Sequence, residues 1–208
     1  MTTPKLWISP GACSLAPHIV LREAGIDFET VVINVKAGFP QEYRHVNPKA
    51  RVPILQLGGE TITEVPAILT AISQLCPDKH LLGTTNLEIV RTYEWSNWIS
   101  GTVHGNGFGG LRRPHRFSDD PETYDSIKAK GRKTIEESFE FIEERLKGMH
   151  AVGDTFTAVD AYLLVIYRRG NETRINMRVK YPKYTSLVME ALKRESVEAA
   201  IKEEGIKF

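Results

Sequence analysis

The stretch "ARVPILQLGGETITEVPAI", Ala50–Ile68, sets two short apolar runs around a double glycine and places a proline before each ordered element. A proline in the middle of a strand would remove a ladder donor, so Pro53 belongs at the start of the strand over Ile54–Leu57. A cis Val52-Pro53 bond there would bend the chain and leave the Val52 N–H and C=O free to pair with an extended peptide ligand. An ordinary trans proline at a strand entry is the alternative. Gly58-Gly59 reads as a hairpin turn. The second strand runs into Glu64-Val65, and Pro66 then opens a helix. Free backbone N–H groups and the positive end of that helix favour a carboxylate ligand. Glu64, at the same spot, either accepts from a ligand ammonium or caps the helix. A zwitterionic amino-acid head would satisfy both groups.

Upstream, "KLWIS" reads as a short strand, "SLAPHIVLREAG" as a helix stopped by Gly25, and "FETVVINV" as a β-branched strand. "PAILTAISQLCPD" continues the helix opened by Pro66. The order is β-α-β followed by β-β-α. The pattern breaks in "CPDKHLLGTTN", and from Asn86 onward strands disappear. "NLEIVRTYEWSNWISGTVHG" carries Ile89, Tyr93, Ile99 and Val103 on an apolar face. A longer helix follows from Asp120-Pro121 with Ile127, Ile135, Phe139, Ile142 and Leu146 on one side. "TAVDAYLLVIYRR" and "YTSLVMEALKRESVEAAIKEEG" are helical too, and Thr157 with Asp160 has the spacing of a capping box.

The 208 residues, 41% hydrophobic and 25% charged, suit an ordinary globular chain of one large or two small domains. A formal net charge of +1 supplies no field for nucleic acid or an anionic membrane. No apolar run approaches the ~20 residues of a membrane helix, and the start lacks the apolar core of a secretory signal. Two separated cysteines, Cys13 and Cys76, suit a reducing compartment, and the reading is cytoplasmic. The six histidines show no zinc spacing, so no metal is expected.

Four motifs in this order, "SPGACSLAPHIVLREAG", "VNPKARVPIL", "ITEVPAI" and "DTFTAVDAYL", resemble the cytosolic glutathione transferases. The match is to the bacterial type with a cysteine near its first helix, the beta-like class. The resemblance implies a thioredoxin-like α/β domain over residues 1–82 that binds glutathione and an all-α helical bundle over 88–208. It also implies glutathione as cofactor or co-substrate and a homodimer. In that family the Val52-Pro53 bond is cis and Val52 pairs with the cysteinyl backbone of glutathione. Glu64 and Val65 match the pair that holds the γ-glutamyl head. Cys13 and Ser14 match the positions beside the glutathione sulfur. Asn97 and His104 match positions that reach glutathione across the dimer or from the adjacent wall.

Two departures from the family pattern matter, and a third position differs from other classes. Val65 stands where many members have serine, leaving only a backbone N–H for the γ-glutamyl carboxylate. Trp7 occupies the strand position where other classes keep a tyrosine. "HGNGFGGLRRPHRF" is unlike the bacterial pattern, and it would line the pocket for the second substrate, with Phe108 and Arg112 as its candidate residues. Within it "GNGFGG", Gly105–Gly110, matches G-x-G-x-x-G, but no strand precedes it, so these glycines read as a helix kink or loop opened for a bulky substrate. The cluster Arg112, Arg113, His115 and Arg116 either binds an anionic group or forms a solvated loop.

The implied reaction adds the glutathione thiolate to an electrophilic small molecule, a xenobiotic or secondary metabolite. A glutathione-dependent isomerase or lyase, or a non-catalytic module on the same scaffold, are the alternatives. Cys13 would donate its S–H to the glutathione thiolate, or become a thiolate and form a mixed disulfide, or simply fill the core. Ser14 or a backbone N–H are the other donors open to the thiolate.

Overall fold

The computed structural model describes residues 3–35 and 38–208. Its four-stranded sheet has the order β2-β1-β3-β4. β1 (Lys5–Ile8) lies parallel to β2 (Glu29–Val32), with Leu6 opposite Thr30, and antiparallel to β3 (Ile54–Leu57), with Leu6 opposite Leu55. A parallel pair needs a crossover. The crossover contains α1 (Leu15–Ala24), which ends at Gly25 in the left-handed region. β3 and β4 (Glu60–Thr63) form a hairpin, and the turn at Gly58-Gly59 has φ of 60° and 89°, values that L side chains rarely adopt.

Alternation along the strands divides the sheet's two faces. Leu6, Ile8 and Leu55 join the main core with α1 and α2 (Val65–Leu75). Trp7, Ile33 and Ile54 form a second cluster on the opposite face, where Trp7 stacks edge-on against Tyr43 and donates from Nε1 to Gln56 at 3.1 Å.

Every later regular element is helical: α3 (Asn86–Trp98), a π-wound segment (Ile99–Phe108), α4 (Gly109–Arg112), α5 (Tyr124–Arg145), α6 (Ala158–Glu172), α7 (Met177–Lys180), α8 (Pro182–Ala191) and α9 (Glu195–Glu203), with short 3-10 turns between some of them. α6 is buried from Ala158 through Tyr167 and packs on α1, α3 and α8, so one core runs through both halves. Its start is held by Asp160, whose carboxylate accepts from the Thr157 N–H at 2.7 Å, the Thr157 hydroxyl at 3.3 Å and the Ala151 N–H at 2.9 Å. None of the helices among the described residues is long and apolar enough to cross a membrane.

Two expectations need correction. The apolar face read over Ile89, Tyr93, Ile99 and Val103 points inward only in part: Ile99 and Val103 are buried and Ile89 is half-buried, while Tyr93 lies outside with Leu87 and Val90. The glycines of "GNGFGG" open no loop. The chain stays helical with wider π winding, and Gly131 of α5 lies so close to the backbone of Gly107, Gly110 and Leu111 that a side chain at Gly131 would not fit.

Candidate functional site

The loop Ser9–Ser14 carries the candidate sulfur. It is braced from within by Ser14, which is fully buried; its hydroxyl accepts from the Ser9 N–H at 3.1 Å and donates to the Ser9 carbonyl at 3.3 Å. It is braced from outside by the C-terminal helices. The Gly11 N–H donates to the buried Glu204 carboxylate at 2.8 Å, and Arg168 Nη1 donates to the Gly11 carbonyl at 3.4 Å. Ser14 therefore spends its hydrogen-bonding capacity on the loop.

Cys13 is 8% exposed, and its Sγ–H donates to the Val52 carbonyl at 3.4 Å. Burial pushes its thiol pKa up. The Arg169 guanidinium, the residue's own backbone N–H and Arg113 pull it down by smaller amounts, while Glu64 pushes it up. The sulfur is thus a protonated donor in the free protein, with cations nearby that would favour an anion. The Val52-Pro53 bond is cis, and Val52 is half-buried on the strand entry.

Across from this strand, Glu64 and Val65 start α2. Glu64 sits at φ 72°, a left-handed conformation that costs a non-glycine residue about 1–3 kcal/mol and clusters at functional sites. Its side chain does not cap the helix. It pairs instead with Lys49 Nζ at 2.9 Å, and the same ammonium donates to Thr63 Oγ1 at 2.8 Å. The first turn of α2 is left without a side-chain acceptor, while the Val65 side chain is buried in the core. Val65 can therefore serve a ligand only through its N–H.

The π-wound segment brings His104 toward the same corner. Burial and the nearby guanidinium groups of Arg169, Arg113, Arg112 and Arg116 push its pKa down to about 3. The imidazole is neutral at physiological pH, a hydrogen-bonding wall and a weak base. Asn97 on α3 is exposed. Phe108 is 2% exposed and packs on Phe139 with centroids 6.4 Å apart, so it belongs to the helical core rather than an open wall. Arg112 lies over the Phe108 ring at 5.5 Å and pairs with Glu172 at 2.9 Å.

Sequence reading missed two residues. Tyr162 and Arg169 lie seven apart on α6 and so share a face. Both are electrostatically coupled to Cys13. Burial pushes the Tyr162 phenol pKa up; its hydroxyl is near Ser100 but lacks hydrogen-bond geometry to any group among the described residues. A polar pair at this spacing inside "DAYLLVIYRR" was the available signal. Hollows of about 450 Å³ beside Arg22 and Arg194, and about 400 Å³ beside His150 and Asp154, lie elsewhere and contain none of these residues. Among the described residues no group of three His, Cys, Asp or Glu side chains could hold a metal ion.

A small mixed sheet with a cysteine at the first helix, a cis proline facing it and an acidic residue at the start of the next helix defines a thioredoxin-like domain, here joined to a helical domain. The family model for the glutathione S-transferase N-terminal domain matches residues 3–74, and that for the C-terminal domain matches 110–195. The glutathione S-transferase GstA of Escherichia coli O157:H7 is 35% identical over 98% of this chain and 100% of its own. A glutathione transferase homologue from Sulfitobacter, solved with bound glutathione, superposes with a TM-score of 0.92 at 25% identity over all of both chains. A sphingomonad glutathione S-transferase complexed with glutathione gives 0.83 at 34% identity over 98% of this chain and 100% of its own. The chain belongs to the glutathione S-transferase family.

Proposed function

We propose that this enzyme adds the glutathione thiolate to an electrophilic small molecule, a xenobiotic or secondary metabolite, and that it does so in the cytoplasm as a homodimer. One observation carries the reading: the Cys13 S–H rests on the Val52 carbonyl, within electrostatic range of Glu64. Three parts of a tripeptide site thus converge. The Val52 backbone takes the cysteinyl unit in extended pairing. The Val65 N–H and the dipole of α2 take the γ-glutamyl carboxylate, and Glu64 takes its ammonium. Once the cysteinyl N–H occupies the Val52 carbonyl, the Cys13 S–H is released to donate to the glutathione sulfur.

Glutathione then reacts as a thiolate; each unit by which its thiol pKa falls requires about 1.4 kcal/mol of differential stabilisation. Arg169, Arg113 and the Cys13 S–H supply that stabilisation, and Ser14 holds the loop. The sulfur lone pair forms the new C–S bond while a leaving group departs with its electron pair, or while an activated double bond takes up a proton.

Calorimetric titration tests the reading directly. Glutathione binds the wild-type protein, and Glu64→Ala weakens binding about tenfold, the scale of a hydrogen bond to a charged group. Lys49 holds Glu64 in the free protein and has to share it with the ligand ammonium. Heat-silent mixing at millimolar glutathione would overturn the proposal.

The exposed Leu87, Val90 and Tyr93 on α3 and Phe141 on α5 are the apolar surface for the second subunit. Val90→Glu gives a monomer in sedimentation velocity where the wild type sediments as a dimer. A wild-type protein that is monomeric at micromolar concentration would refute the dimer.

A further inference from the structure

We infer that the wall facing the glutathione corner binds a carboxylate on the second substrate, with Arg169 as its principal partner and Arg113 and Arg116 beside it. The inference rests on the transferase reading and narrows its electrophile to an anionic one.

Arg169 is the starting observation. It projects from the same face of α6 as the buried Tyr162, its Nε is buried, and it donates no hydrogen bond to any described residue. A guanidinium offers five donors and keeps its charge, and a buried N–H without an acceptor is costly. Its neighbouring carboxylate, Glu172, is already taken by Arg112 at 2.9 Å and Arg168 at 2.7 Å. Among the described residues neither Arg113 nor Arg116 has a carboxylate within 4.0 Å. Burial together with Arg113 and Arg51 pushes the Arg116 pKa down to about 10, and burial together with Arg169, Arg113, Arg112 and Arg116 keeps His104 neutral. Glu64, the acidic group that raises the Cys13 pKa, is engaged by Lys49.

The corner is therefore positive around Arg169, Arg113 and Arg116. The glutathione thiolate accounts for part of this charge, since Arg169 and Arg113 favour an anion at Cys13. The charge also includes Arg116, which helps to push the His104 pKa down. A planar carboxylate matches the fork of a guanidinium better than a single sulfur does.

A matched substrate pair separates these roles: chlorodinitrobenzoate with its chlorine para to the carboxylate, and the methyl ester of the same acid. In each, the thiolate attacks the chlorine-bearing carbon, the C–S bond forms and chloride leaves with the C–Cl pair. The wild type has a higher kcat/KM for the acid than for the ester, corrected for their uncatalysed rates. Arg169→Met lowers that acid-to-ester ratio about tenfold or more, on the scale of a charged hydrogen bond. Arg169→Lys, which keeps the charge and loses the fork, falls between, and Arg178→Met, on the exposed surface of α7, leaves the ratio where it was.

A residue serving only the thiolate would slow both substrates equally, so an unmoved ratio in a folded Arg169→Met protein overturns the inference. Binding of dinitrobenzoate and its methyl ester, neither carrying chlorine, is measured by calorimetry in parallel. Preference for the acid that Arg169→Met removes supports the anion site even if no conjugate forms, an outcome that would instead count against the transferase reading. Equal binding of acid and ester overturns the anion site.

Discussion

Cys13→Ala abolishes glutathione-dependent disulfide exchange and slows conjugation about tenfold. The two losses differ because the reactions ask different things of one sulfur. Exchange needs Cys13 as the attacking thiolate: its sulfur bonds to one sulfur of a glutathione mixed disulfide, the other sulfur leaves as thiolate, and glutathione then resolves the new bond. With no sulfur at this position nothing replaces that step, since Ser14 is fully buried and bonded to Ser9, and the other cysteine, Cys76, lies at the end of α2. Conjugation needs only a donor to the glutathione thiolate, and loss of one such bond is worth about a factor of ten. Cys13→Ser separates the roles further, keeping conjugation above the alanine level and losing exchange entirely.

The pH dependence follows from the sign of the shift. Burial raises the Cys13 pKa above its ordinary value of 9.0, so deprotonation and exchange rate rise with pH through the alkaline range. In the free protein, alkylation of Cys13 by iodoacetamide at neutral pH is slower than alkylation of an unhindered thiol. Retention of both activities in the alanine variant, measured by product mass and by disulfide reduction, would remove Cys13 from the chemistry.

The parts of the site that could be read from sequence are those whose chemistry is local. Val52-Pro53 announces itself because a proline cannot sit inside a ladder, and Glu64-Val65 because Pro66 fixes a helix start beside it. Cys13 shares this property, lying between a strand and a helix. Arg169 does not: it reaches the corner from α6, and what marks it in the sequence is its seven-residue spacing from Tyr162 on a mostly apolar helix rather than any feature beside it. Tyr162 is fully buried, and only folding shows that its hydroxyl lacks a partner.

α3 misled for a related reason. Its apolar residues are spread over more of the circumference than one partner covers, so periodicity alone could not separate the side facing α6 from the side left outside. Ser14 shows the reverse error. Its position in the chain suggests a donor to the ligand, but a hydroxyl directly before a helix can serve the backbone of its own loop.

The glycine motif that imitates a dinucleotide fingerprint has a packing role, and Gly131→Ala exposes it. A Cβ added at Gly131 would sit 2.6 Å from the Leu111 N and 2.8 Å from the Gly107 O. Both atoms are backbone, so no side chain can rotate away; α5 has to separate from the π-wound segment and α4. Overpacking of this kind costs about 3 kcal/mol, the upper part of its usual range. For a chain of this length that lowers the melting temperature by about 6–12 °C. Gly148→Ala supplies the comparison, since a Cβ there meets nothing within 4 Å, and its melting temperature stays close to wild type.

The displacement also reaches the site, because the π-wound segment carries His104 and leads directly into Arg112, Arg113 and Arg116. Measured below its melting transition, Gly131→Ala raises KM for the electrophile more than KM for glutathione, whose proposed anchors Val52 and Glu64 lie on the other domain. A Gly131→Ala protein that melts with wild type would show that the close approach of these backbones is not what the glycines provide.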